Sequence, residues 1–198
     1  MTARRVFLLS PANCGGERAQ LLFSSRAGFD LAQRLRSRRG APLGEVMSFV
    51  SGLYFRGKLT YAARFGVPLV ITPHRGLRPP DERMTLARLR ASAQVDIHAD
   101  NPRYRRPLLV SARAVASVLE PDDGVTLLGS IASDKYVTAL LEVFGERLTF
   151  PVAFVGRGDM SRGGLLLRAV REERELDYVP VAGAVRHGPR PPRLAPVR

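Results

Sequence analysis

Short, continuously apolar runs alternate along the chain with longer stretches whose apolar residues recur every three to four positions. The runs cover residues 6–10, 67–72, 125–128, 148–155 and 176–181, each short enough for a strand buried on both faces. Pro151 interrupts the fourth and predicts an edge or a bend there. Leu43, Val46, Met47 and Val50 follow the i, i+3, i+4, i+7 rule of an amphipathic helix opened by Pro42. A second helix is expected over 53–65, after the break at Ser51-Gly52 and before the stop at Gly66. Further helices are expected over 29–38, over 102–119, and from the Thr85 cap through Leu89. The clearest runs over 133–144, with Ser133 as cap, Tyr136, Val137, Leu140, Leu141 and Phe144 as its apolar face, and Gly145 as stop. A last helix is expected over 165–172, while 73–80 reads as an irregular loop.

Continuously apolar strands separated by helices predict a three-layer α/β fold, with a mainly parallel sheet of about four strands flanked by helices. The expected single domain spans 1–182, and 183–198 is expected as a flexible tail with Pro189, Pro191, Pro192 and Pro196 among Arg186, Arg190, Arg193 and Arg198. Ligands of such sheets bind beyond the carboxyl ends of the strands, so chemistry is sought in the loops that leave them.

Composition narrows the class without naming a reaction. The chain has 198 residues, 45% hydrophobic and 25% charged, which fits a globular domain. Its single cysteine excludes an internal disulfide framework and a multi-cysteine zinc site, so no metal and no cofactor is expected. No apolar run approaches the ~18 residues of a membrane span, and no membrane partner is expected. Arg4 and Arg5 precede only four apolar residues, Val6 to Leu9, against the ~7–15 of an export signal, so a cytoplasmic protein is expected. The net charge of +13 invites nucleic acid as a partner. Of the 31 basic residues, however, only Lys58 and Lys135 are lysine, a bias that fits a GC-rich codon habit better than selection for phosphate binding.

Four loops carry candidate chemistry. In the first, Ser10, Asn13, Cys14, Gly15, Gly16 and Arg18 offer small residues and successive backbone N–H groups for an anion nest, or simply a tight strand-to-helix turn. Cys14 is a candidate nucleophile with His74 as its base, although a small half-buried thiol is the favoured reading. Gly129, Ser130, Ser133 and Lys135 join a strand to a strong helix, where free N–H groups and the helix dipole favour an anion. Residues 156–164 hold four glycines with Arg157, Asp159, Ser161 and Arg162, and Asp159 is the best-placed carboxylate for general-base work. Arg75 beside His74, and Arg56 at a helix start, are expected at the same mouth.

Several short motifs carry a resemblance. Ser-Gly-Leu-Tyr-Phe-Arg-Gly-Lys from Ser51, Ile-Thr-Pro-His-Arg-Gly-Leu-Arg-Pro-Pro-Asp from Ile71, and Gly-Ser-Ile-Ala-Ser-Asp-Lys-Tyr-Val from Gly129 resemble a family of uncharacterised bacterial and phage α/β domains. That family is similar to domains near the deazaguanine tRNA-modification enzymes, with a fold like the uracil-DNA glycosylases. The resemblance covers roughly residues 6–168 and implies a nucleobase or nucleotide ligand with N-glycosidic chemistry. The family often places a cysteine and a lysine close after the first strand. Here Cys14 stands without a neighbouring lysine, which counts against lysine-dependent chemistry.

The function expected from these features is binding of a nucleotide, nucleoside or phosphorylated small molecule at the sheet edge, with hydrolytic or N-glycosidic chemistry through Asp159 and His74. The alternative is a non-catalytic nucleic-acid-binding module using the dispersed arginines and the basic tail.

Overall fold

Every position of strand β1 (Arg5–Leu9) except the first is buried, because the strand lies in the middle of the sheet between two layers of helix. The computed structural model describes residues 4–192 and Leu194; the remaining tail positions, Arg193 and 195–198, lie outside the described residues. After β1 come α1 (Glu17–Phe23), α2 (Asp30–Arg36), β2 (Ala41–Pro42), α3 (Leu43–Ser51) and α4 (Leu53–Phe65). The chain continues through β3 (Val67–Thr72), β4 (Gly76–Arg78), β5 (Arg83–Met84), α5 (Leu86–Ala93) and α6 (Pro102–Ala116). It ends with β6 (Gly124–Leu128), α7 (Asp134–Phe144), β7 (Leu148–Pro151), α8 (Asp159–Arg171) and β8 (Tyr178–Pro180).

The main sheet has six strands in the order β4-β3-β1-β6-β7-β8, and β2 pairs with β5 in a separate two-stranded ladder. Its four inner strands are parallel, with Leu9 of β1 opposite Val70 of β3 and Leu128 of β6. β4 and β8 close the edges antiparallel. Alternation along β1 divides the core: Phe7 and Leu9 pack with α1 to α4 and α8, while Val6 and Leu8 pack with α6 and α7. The three-layer α/β architecture is therefore as the apolar pattern implies, with an antiparallel strand at each edge. Among the described residues no helix is long and apolar enough to cross a membrane.

Two local expectations are corrected, and an open one is decided. The segment 73–80 is not wholly irregular, since Thr72 Oγ1 donates to the Gly76 carbonyl at 2.8 Å and closes a turn into β4. Of the edge or bend expected at Pro151, the structure has the bend: β8 pairs beyond β7, and the proline ends the strand before a 3-10 turn over Val152–Phe154. The glycine-rich stretch at 156–164 is not a loop throughout, because α8 begins at Asp159.

That last difference has a packing cause. α4 and α8 touch backbone to backbone: a Cβ on Gly163 would lie 2.9 Å from Tyr54 Cα, and one on Gly57 would lie 2.8 Å from the Gly163 carbonyl. Paired glycines in adjoining helices serve close approach here, and the conformational cost of helical glycine is offset by the contact. Gly52, between α3 and α4, has φ +64°, the left-handed region in which glycine is favoured.

Candidate functional site

A cavity of about 760 Å³ opens where β1, β3 and β6 end, at the carboxyl edge of the parallel strands. Ser10, Asn13, Cys14 and Gly15 enter it from the loop after β1. Ser130, Ser133, Lys135 and Tyr136 come from the turn after β6 and the first turn of α7, and Asp159 from the first residue of α8. Tyr54 and Lys58 come from α4, and Ser92 and Asp96 from the end of α5 and the segment after it. Two helix N-termini, one parallel-strand edge and both lysines of the chain therefore meet at one space.

Lys58 is the residue that the sequence reading passed over. Its side chain is 1% exposed, and its Nζ donates to the Ser10 carbonyl at 2.7 Å and to Ser10 Oγ at 2.9 Å. The Nζ also lies 4.4 Å from the centre of the Tyr54 ring and 4.8 Å from that of Phe55. Burial pulls the ammonium down from 10.5 to about 7; attraction to Asp159 opposes the shift and repulsion from Arg162 adds to it. A buried lysine of α4 thus lies against the residue that leaves β1. The advance signals were its rarity among so many arginines and its place at the end of the motif from Ser51.

Arg162 holds two lining residues without itself lining the cavity. Its side chain is buried in α8; Nη1 lies 3.3 Å from Asp159 Oδ1, Nη2 lies 3.4 Å from Ser130 Oγ, and Nε donates to the Phe154 carbonyl at 3.2 Å. Tyr136 donates its hydroxyl to the Ser130 carbonyl at 2.8 Å. Gly129 lets these parts close, for a Cβ there would lie 2.8 Å from both Ser10 Cβ and the Tyr136 hydroxyl. The Tyr54 hydroxyl is buried beside the Arg162 guanidinium, and burial holds it well above its usual range.

Other expected groups are used differently. The anion nest at Gly15 and Gly16 is an internally satisfied turn: Gly15 N–H donates to Asn13 Oδ1 at 3.1 Å and Gly16 N–H to the Asn13 carbonyl at 3.2 Å. Ser133 occupies the N-cap of α7 but makes no capping bond. Cys14 is 3% exposed, its Sγ is 3.6 Å from the Ala12 carbonyl, and burial pushes the thiol up to about 12, so the wall carries a thiol rather than a thiolate. His74 does not line the cavity; its Nδ1 lies 3.3 Å from Ser92 Oγ, and burial, then Arg75, Arg103 and Arg88, hold the imidazole below its usual range. It therefore stands behind Ser92, which does line the wall.

No arginine of the described residues lines the cavity. Arg56 is exposed on α4, Arg18 reaches the Phe49 carbonyl at 3.5 Å, and Arg75 pairs with Glu82. Arg157 donates to the Ala153 carbonyl at 3.0 Å, to Ser161 Oγ at 3.2 Å and to the Pro192 carbonyl at 3.3 Å, so Arg157 and Ser161 belong to a separate cluster under the tail. Among the described residues no group of three or more His, Cys, Asp or Glu side chains is arranged to hold a metal ion.

No family model, no curated protein and no solved structure matches the chain, so the resemblance rests on its short motifs alone.

Proposed function

We propose that the cavity binds a nucleotide, nucleoside or phosphorylated small molecule, with Ser130, Ser133 and Lys135 at the N-terminus of α7 receiving the anionic group. The carrying observation is that Lys135 and Asp159, each in the first turn of its own helix, line one cavity with Ser10 at the carboxyl edge of the parallel sheet. Unpaired helix N–H groups and the positive dipole end favour negative charge there. Asp159, held by Arg162, supplies a carboxylate for hydrolytic or N-glycosidic chemistry. A soluble cytoplasmic protein fits that reading.

A thermal-shift panel of nucleosides, mononucleotides and sugar phosphates tests it. Stabilisation by a phosphorylated member, lost in Lys135→Ala, supports the reading; Asp159→Asn retains binding and loses turnover. A panel that leaves the melting temperature unmoved overturns it.

One observation favours a second reading, a nucleic-acid-binding module. Arg38, Arg39, Arg83 and Arg88 surround a depression of about 610 Å³ that shares no residue with the cavity. Binding through these arginines falls by orders of magnitude as salt rises from about 50 to 200 mM, whereas a small ligand in the cavity does not require that dependence.

A further inference from the structure

We infer that Lys58 is a nucleophilic amine that condenses with the aldehyde or ketone carbon of a small molecule in the cavity and holds it as an imine. The inference rests on the reading of that cavity as a ligand site.

Hydrogen-bond capacity points to the neutral amine. An ammonium has three N–H donors and a neutral amine two. Ser10 offers two acceptors, its carbonyl and its Oγ, and Lys58 uses both. The two N–H groups of the neutral form are thus placed, and a lone pair remains on the nitrogen of a residue that lines the cavity. The third proton of the charged form has no oxygen or nitrogen acceptor among the described residues. The Tyr54 and Phe55 rings attract the charged form, but removal of an ammonium from water costs more than that attraction returns. Asp159 and Arg162 of α8 act on the Lys58 charge, Tyr54 lies against it on its own helix, and Tyr136 and Lys135 of α7 and Cys14 of the first loop line the same cavity. With their opposing effects included, the amine titrates near 7, so a large share is free at neutral pH.

Composition supplies an independent argument. Arginine stands at nearly every basic position of the chain, yet the two lysines are both on the wall of one cavity. A guanidinium cannot be deprotonated in a protein, so arginine cannot act as a nucleophilic amine, whereas a buried lysine can.

The step balances without an oxidant or reductant. The Nζ lone pair attacks the carbonyl carbon and forms a C–N bond while the carbonyl π pair moves to oxygen. Both amine protons end on that oxygen, which leaves as water, and a C=N bond remains. Lys135, exposed at the N-terminus of α7, is suited to an anionic group elsewhere on the same molecule, so the ligand class is a small phosphorylated aldehyde or ketone.

Having only two lysines makes the test clean. The folded protein is treated with ¹³C-formaldehyde and cyanoborohydride at neutral pH, and the two lysine peptides are quantified by mass spectrometry. An ordinary solvated lysine has about one free amine in a few thousand at that pH. Lys58 is therefore expected to be methylated at least ~10-fold faster than Lys135 despite its burial. Equal labelling, or faster labelling of Lys135, overturns the inference, even where nucleotides stabilise the protein. Glycolaldehyde phosphate and plain glycolaldehyde, each trapped with borohydride, form the second arm. Trapping on Lys58 at lower concentration for the phosphorylated probe supports both readings. Trapping of both probes alike keeps the reactive amine and removes the anion site. Lys58→Met abolishes the adduct, and Ser10→Ala, which keeps the lysine, retains it.

Discussion

The Nζ of Lys58 lies 2.7 Å from the carbonyl oxygen of Ser10 and so ties the second turn of α4 to the last residue leaving β1. That bond closes the floor of the cavity, and its energetics depend on whether the amine carries a proton.

Stability should register that proton. The folded state releases it near 7 and the unfolded state near 10.5, so between those values the unfolded chain binds more protons. Wild-type stability should therefore rise with pH across this window relative to Lys58→Met, by up to about 1.4 kcal/mol per pH unit. Urea denaturation of both proteins between about pH 6 and 9 measures the difference. Parallel curves would show that Lys58 titrates normally.

Adjacent glycines of α8 should respond in opposite directions. Gly163→Ala drives a methyl into Tyr54 Cα at 2.9 Å and the Leu53 carbonyl at 3.0 Å, which should cost about 1–3 kcal/mol. At Gly164 the nearest atom is Leu194 Cδ1 at 3.5 Å, so Gly164→Ala should gain about 0.5–1 kcal/mol of helix propensity. Equal effects would mean that α4 and α8 do not approach as described.

Lys135 adds positive charge where the α7 dipole is already positive. Lys135→Ala should leave the unliganded protein as stable, or more stable by about 0.3–1 kcal/mol, while abolishing stabilisation by phosphorylated ligands. A loss of unliganded stability would assign the side chain to packing instead.

Cys14 should be inert in the folded state. Burial holds its thiol near 12, so alkylation by iodoacetamide around pH 8 should be slow and should become fast only after unfolding in urea. Rapid labelling of the native protein would revive the nucleophile.

The tail beyond Gly183 has less detachment than its composition suggests, since Arg186 pairs with Asp134 and Arg157 reaches the Pro192 carbonyl. These contacts are exposed, so deletion of 183–198 should cost no more than about 1 kcal/mol, or ~2–4 °C in melting temperature. A larger loss would show that the segment packs as part of the domain.

The sequence by itself determined the inner strands and most helices. Val6 to Leu9, Val70 to Thr72 and Val125 to Leu128 are buried on both sides of the sheet, and such strands must be apolar at successive positions. The helices at 43–51 and 134–144 were equally legible, because one-sided burial imposes a period near 3.6. The same periodicity directed attention to the carboxyl edge, where Ser10, Ser130, Lys135 and Asp159 meet. Only the tertiary structure decided the rest. Glycine at 163 reads as a loop until the backbone of α4 lies against it, and β4 is a strand only because β3 offers its edge. Lys58 looks like one more basic residue on a helix. What makes it different is the loss of water around its nitrogen and the Ser10 oxygens that replace it, and both depend on contacts between residues distant in the chain.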